Sequence, residues 1–398
     1  MTAIRMARGA TLLAAVALWV WAASLLWRTS VPHLDVPQLD PRAIFGPELV
    51  GRAERYDRVL RLDWVLSEAA QLAALALVAA RAPRLRLGLG RIGSGIVLAT
   101  LAVTSAWGAS LPFHLAAFWW RRHYGIVHGA SGPWVAGQLE ALLTTAGGAF
   151  VAVVLVTALA APLGRRWWLG AAPLAAAAAL AVTFAGAWLE SGHAPGALRD
   201  EERGLAAREV VRPPALEVVP APGRTREANA EAIGLGPSRR IVLWATILRR
   251  PFTGAELRFV LAHELTHHAR HHLWKGLAWF ALLSLPVLAL VAAAVDLRRP
   301  EAVPLALLML LAAQLALLPL RNAISRRLET EADWQALQTT RDPAAARGLF
   351  IAFARTSLQP PDPPGWDYVL LEDHPTLLQR VELARAWELT RRASPAGS

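Results

Sequence analysis

The sequence predicts a mainly α, integral membrane fold of about seven transmembrane helices, with a polar portion that folds outside the bilayer. Three observations carry this reading. Hydrophobic residues make up 55% of the 398 and charged residues only 18%, against the roughly 25% charge usual in soluble domains. The mean hydropathy is positive, +0.35. Long uncharged segments recur, with arginine pairs such as Arg121–Arg122, Arg165–Arg166, Arg298–Arg299 and Arg326–Arg327 at their edges, as membrane-flanking loops require.

A bilayer core of about 30 Å needs about 20 apolar residues per helix. Thr11–Trp27 is the first such segment; its 17 uncharged residues exceed the roughly 7–15-residue core of a signal peptide, although Arg5 and Arg8 precede it. Trp64–Ala80 is a weaker segment that carries Glu68 near one end, where a carboxylate can reach water. Ile92–Trp120, Ala141–Gly164 and Trp167–Leu189 complete an N-terminal region over residues 1–190. Tryptophans 19, 21, 27, 119, 120, 167, 168 and 188 gather towards the segment ends, where indole rings sit at the membrane interface. Two further spans, Gly276–Val295 and Ala302–Leu320, lie far downstream.

The remaining stretches, Ser191–Lys275 and Arg321–Ser398, are polar and together are the size of one domain. Because two spans separate them, the chain crosses and returns, and both pieces face the same side. Residues 191–398 are therefore expected to form one domain, interrupted by membrane helices at about 276–295 and 302–320.

The composition excludes several chemistries. With no cysteine, disulfides, thiolate nucleophiles and thiolate-bound metals are ruled out, and any metal site must use His, Asp and Glu. The net charge of +11, from 41 basic and 30 acidic residues, does not mark nucleic-acid binding, since no basic reading element accompanies it.

The chemistry-bearing motif lies in Pro251-Phe-Thr-Gly-Ala-Glu-Leu-Arg-Phe-Val-Leu-Ala-His-Glu-Leu-Thr-His267. Thr253 and Glu256 have the spacing of a capping box, with Phe252 and Leu257 as a hydrophobic staple. Leu257, Val260, Leu261 and Leu265 give the helix a buried face. His263 and His267 stand four residues apart on one face and can reach one metal ion, while Glu264 can take a proton from a water held there. His268, His271 and His272 follow. Arg270 and Leu273 stand where a metzincin would have glycine and histidine, so the third ligand lies elsewhere, and the extra histidines are expected to be interfacial or exposed. In the second polar piece, Glu329 and Asp333 are four apart on one helix face, a spacing suited to a ligand and a supporting carboxylate. By spacing alone Glu331 competes with Glu329, and a solvated acidic face would look the same.

At these residues the sequence resembles the type 1 CAAX prenyl protease family of membrane zinc endopeptidases and its bacterial heat-shock relatives. Arg240–Leu248, the histidine–glutamate motif, Asn322, Ser325, Arg326, the E-x-x-A-D run Glu329–Asp333, and Asp373-His-Pro-Thr-Leu-Leu-Gln-Arg380 carry the likeness. Leu111–Phe113, Arg121–Ile126 and Trp134 extend it upstream. The resemblance implies a zincin-like metalloprotease domain with a short edge strand, one catalytic Zn²⁺ held by His263, His267 and Glu329, and Asp333 supporting a ligand. It implies that Glu264 is the catalytic base, and that His374 and Arg380 line the cleft and stabilise the oxyanion. A peptide or protein substrate would pair with the strand at Asn229 and Ala230, in a multi-pass protein of a bacterial inner membrane surrounded by lipid. The chain departs from the family at Thr266, where glycine is usual, at Glu231, where an aromatic residue is usual, and in Ser191–Arg203. A metal that merely clamps the two polar pieces of an inactive scaffold or transporter would use the same ligands; a closed four-ligand site would mark that alternative.

Overall fold

The computed structural model describes residues 2–85, 87–222 and 225–393. Arg86 and Ser398 lie outside the described residues, as do the side chains of Arg5, Arg8 and Thr11.

The N-terminal region contains α1 (Thr2–Leu26), the short α2 (Pro41–Phe45), α3 (Pro47–Arg81), α4 (Gly90–His123), α5 (Gly132–Leu163) and α6 (Trp168–Gly186). After α7 (Gly196–Arg208) come the strands β1 (Ala215–Val219), β2 (Ala230–Ile233) and β3 (Arg240–Trp244). Then follow α8 (Gly254–Ala269), α9 (His272–Ala294), α10 (Val303–Thr340), α11 (Pro343–Ser357), α12 (Gly365–Leu370) and α13 (Leu377–Ala393). Among the described residues, six helices are long and apolar enough to cross a membrane: α3 to α6, α9 and α10; Leu13–Leu26 within α1 is a shorter apolar stretch.

Two sequence expectations shift here. The segment expected to be weakest, Trp64–Ala80, is the apolar end of the 35-residue α3, whose first turns are polar and stand beside the soluble domain. The first expected segment, Thr11–Trp27, falls within and just past the 25-residue α1. Helices α9 and α10 also run past the bilayer at their polar ends, so that His272 opens α9 and residues 321–340 extend α10.

Contacts among the membrane helices mix alanines with larger apolar residues such as Trp167, Val291 and Leu297. Ala99, Val153, Ala160, Ala171, Ala292 and Ala306 form one buried cluster, since close backbone approach substitutes for a hydrophobic drive that lipid does not supply. His114 Nδ1 lies 3.1 Å from Gln138 Oε1, a polar tie between α4 and α5.

The soluble domain is built around α8. Its cap is the one the sequence predicts: Thr253 N–H donates to Glu256 Oε2 at 2.8 Å and Glu256 N–H to Thr253 Oγ1 at 3.3 Å. A Cβ on Gly348 of α11 would come within 2.4 Å of Glu256 Oε1, so glycine lets the two helices meet at the cap. Phe259, Leu261 and Leu265 are buried against Trp334 and Leu337 of α10, Phe350 of α11 and Val381 of α13. Each such side chain contributes about 1.5–3 kcal/mol of burial. The sheet has the order β1-β3-β2, with β1 parallel and β2 antiparallel to β3. Ile241, Val242 and Leu243 make β3 the buried centre, and β2 forms one edge, as the sequence implied. Gly234, at φ +78, turns the chain between β2 and β3 where a Cβ would strike the Ser238 carbonyl.

The loop between α4 and α5 is stapled to the segment entering β2. Arg226 N–H and the Thr225 hydroxyl both donate to the Ile126 carbonyl, at 3.0 and 3.1 Å, and Arg121 pairs with Glu227 at 2.6 Å. The segment after α1 wraps the soluble domain in turn, with Val31, Leu34 and Leu39 packed on its core.

Candidate metal centre

Helix α8 presents His263 and His267 from successive turns, and α10 brings Glu329 against them. Among the described residues, these three form the group whose ligand atoms all lie within 4.8 Å of one another. His263 Nε2 is 3.1 Å from Glu329 Oε2 and 3.2 Å from His267 Nε2, and His267 Nε2 is 3.6 Å from Glu329 Oε1. Donors bound tetrahedrally at about 2.0–2.1 Å stand about 3.3 Å apart, so the spacing fits a zinc-sized cation. The electrostatics fit as well. Burial opposes a positive charge on His263, but hydrogen bonds and charges from Asp333 and Glu329 outweigh it and hold its pKa up at about 10. Burial keeps His267 neutral, with its pKa pushed down to about 3, the form in which imidazole ligates.

Glu264 is buried beside the ligands. Burial is the main cause of a pKa raised to about 7; His263 opposes it, Glu329 adds to it, and His374 and Arg380 oppose it. A carboxyl poised there can accept and return a proton near neutral pH.

Asp333 is almost wholly buried and accepts from three groups. His263 Nδ1 lies 2.9 Å from Oδ1, and Arg380 donates from Nε to Oδ2 and from Nη2 to Oδ1, both at 2.7 Å. Arg380 also stacks on Phe350 at 4.3 Å. Two of its nitrogens are thus turned to Asp333, and the guanidinium neutralises that buried carboxylate. His374 stands at the rim, its side chain 45% exposed, with Nε2 3.4 Å from Glu329 Oε2 and Nδ1 2.7 Å from Asp373 Oδ1. Asn229 accepts from Trp244 N–H at 2.9 Å, and Ala230 pairs with Leu243 at the start of β2. That strand also packs on α8, which places its edge beside the metal-bearing helix.

The extra histidines, expected to be interfacial or exposed, fall outside the three converging ligands, and two of them are buried. His268 is buried, its Nε2 3.1 Å from the Arg240 carbonyl, which ties α8 to β3. Burial drives its pKa down to about 4. His272 is buried too, between His267 and Glu331. Glu331 therefore lies neither on a solvated face nor among the three converging ligand atoms. In sequence the pair showed only as a surplus histidine and a second acid; 59 residues separate them, and no local spacing joins them.

Residues 201–388 match peptidase family M48. An uncharacterized metalloprotease, YhfN, of Bacillus subtilis (strain 168) is 32% identical over 179 residues, covering 42% of this chain and 42% of that protein. The matched part thus spans less than half the length of that relative. The crystal structure of S. mikatae Ste24p shares the fold with a TM-score of 0.71 at 17% identity, over 93% of this chain and 96% of that one.

Proposed function

We propose that this chain, whose residues 201–388 match peptidase family M48 and whose fold is that of Ste24p, is a membrane-embedded zinc metalloendopeptidase of the H-E-x-x-H type, similar to the CAAX proteases. The observation that carries the reading is the convergence of His263, His267 and Glu329 from two helices, with Glu264 buried beside them.

His263, His267 and Glu329 would hold the zinc, which when bound would supply Lewis acidity at the scissile carbonyl and make water a stronger acid. The protein does the rest. A substrate strand pairs along the free edge of β2, backbone to backbone at Ala230, with Asn229 beside it tied to β3 through its carbonyl. Glu264 takes one proton from the attacking water as the oxygen bonds to the carbonyl carbon, and delivers it to the leaving nitrogen as the C–N bond breaks. His374, half exposed at the rim, is placed to donate to the carbonyl oxygen as negative charge grows there. Arg380 acts through Asp333, which fixes the His263 ring and the proton on Nδ1. The substrates are membrane-associated proteins or C-terminal peptides, and the site of action is a bacterial inner membrane.

Metal analysis of the purified full-length protein, with casein cleavage before and after chelation, tests the reading. One zinc per chain is expected, with hydrolysis lost on chelation and restored by zinc, and Glu329→Ala should hold less zinc than wild type. Zinc binding without any hydrolysis of casein or membrane-protein substrates would favour the scaffold alternative.

A further inference from the structure

The two ligand imidazoles are supported by different means, and the difference assigns a role to three residues that the proposed mechanism does not use. His263 is backed directly by the carboxylate of Asp333. His267 is backed by another imidazole: His272 Nδ1 lies 3.1 Å from His267 Nδ1, the rings edge to face at 81°. His272 Nε2 then lies 3.1 Å from Glu331 Oε2. Glu331 Oε1 accepts from both the backbone N–H and the hydroxyl of Ser30, each at 2.7 Å. Lys275 bridges Glu331 Oε2 to the Arg28 carbonyl, at 3.3 Å to each, and Gln335 donates to the Ser30 hydroxyl at 2.9 Å. His272 and Glu331 are 3% and 2% exposed, so the contact between them is buried, whereas Ser30 and its bond to Gln335 lie at the surface.

We infer that His272, Glu331 and Ser30 are a positioning relay that orients His267 as a metal ligand and ties the metal site to the segment following the first helix. The inference rests on the zinc reading above. Only one proton arrangement satisfies every contact. With Nε2 of His267 turned to the metal, its proton sits on Nδ1 and is donated to His272 Nδ1; the His272 proton then sits on Nε2 and is donated to Glu331. A ligating imidazole held through its far nitrogen keeps its tautomer and its aim. A neutral imidazole placed between ligand and carboxylate carries that hold across a distance one carboxylate would not span. The far end of the relay is not in the M48-matching residues, which begin at 201, but in the chain before α2.

Zinc affinity by chelator competition, on full-length protein in detergent, tests the relay independently of turnover. His272→Ala and Glu331→Ala are expected to weaken zinc binding about 10–100-fold, the usual effect of removing a ligand's supporting partner. His272→Gln, which can both accept from His267 and donate to Glu331, should recover much of the loss. Ser30→Ala should show a smaller loss, because the backbone N–H still holds Glu331. His263→Ala serves as the ligand-loss control. Wild-type zinc affinity in both alanine variants would overturn the relay. So would a stability loss equal with and without zinc at unchanged affinity, which would make His272 a packing residue. If His272→Ala does not fold, Glu331→Gln and Ser30→Ala decide the matter by the same affinity readout. A wild-type protein that binds no zinc would instead sink the metal reading itself, and this inference with it.

Discussion

Helix α10 is continuous from Val303 to Thr340, but its two halves obey different rules. In the half up to Leu320, side chains such as Leu305 stand 41% exposed, and lipid replaces the protein contacts they lack. Little beyond apolar character and length is asked of them. In the half after Leu320, Asn322, Glu329, Glu331 and Asp333 are all buried, and each has a named partner. Asn322 donates to the Leu370 carbonyl at 2.8 Å, and the three acids hold His263, His267, His272 and Arg380 in register. A buried charge without its partner costs several kcal/mol, whereas one apolar residue facing lipid is much like another. Precision in this molecule is therefore concentrated where polar groups leave water, and the membrane half supplies length and direction.

The sharpest separation between the halves should come from the proposed catalytic base, Glu264, on the helix that α10 faces. Glu264→Gln is nearly isosteric, cannot take a proton, and should retain zinc while casein hydrolysis falls about 10²–10⁴-fold or more. Equal cleavage by both forms would remove Glu264 from the mechanism. Next in size is a pair within α10 itself. Asp333→Ala leaves Arg380 buried and unpaired and should cost about 3–5 kcal/mol of stability, together with zinc affinity, whereas Leu305→Ile should cost less than about 1.5 kcal/mol. Chemical denaturation and zinc titration of both variants would read the contrast; a larger loss at 305 would break the comparison.

The membrane assignment of the first half can be checked without background, because the chain has no cysteine. Asp200→Cys and Arg391→Cys should react alike with a membrane-impermeant maleimide in intact cells, and Arg298→Cys, in the α9–α10 turn, oppositely. Matching reactivity at all three would mean that Val303–Leu320 does not cross. The smallest expected effect concerns Glu209, which accepts from Thr266 of α8 and Thr339 of α10 at 3.1 Å each. Burial raises its pKa from 4.5 to about 7, against the opposing hydrogen bonds. The folded state therefore binds this proton more tightly than the unfolded state, and its contribution to stability falls as pH rises through that window. Glu209→Gln should raise stability at pH 8 and bring no gain at pH 4.5. A pH-independent effect would remove this assignment.

Much of this was legible in the residues. The lengths of the apolar runs, the capping box at Thr253 and the i, i+4 spacing of His263 and His267 are local facts, and the helices follow them. Other features were not. Glu329 and Glu331 are equivalent by composition, and only tertiary packing turns one to the imidazole pair and the other to His272. The polar start of α3 hid its true extent, since charge there reflects a helix beside the soluble domain as readily as a loop. The relay behind His267 joins residues at 30, 267, 272 and 331, and such long-range polar pairs leave no periodicity to read.

The unbroken passage of α10 from lipid to ligand also makes it a ruler. Glu329 comes nine residues after Leu320, about 13 Å along the axis at 1.5 Å per residue. An extended peptide advances about 3.3–3.6 Å per residue, so a chain anchored in the bilayer needs about four residues to bring a bond level with Glu329. If the proposed hydrolysis takes place at Glu329, bonds nearer the membrane surface than this would be out of reach unless the anchor were drawn outwards. The helix would thus set where a membrane-tethered chain is cut by distance, before any side chain is inspected. One residue inserted between 320 and 329 would lengthen the measure by only about 1.5 Å but turn the ligand about 100° relative to the bilayer half.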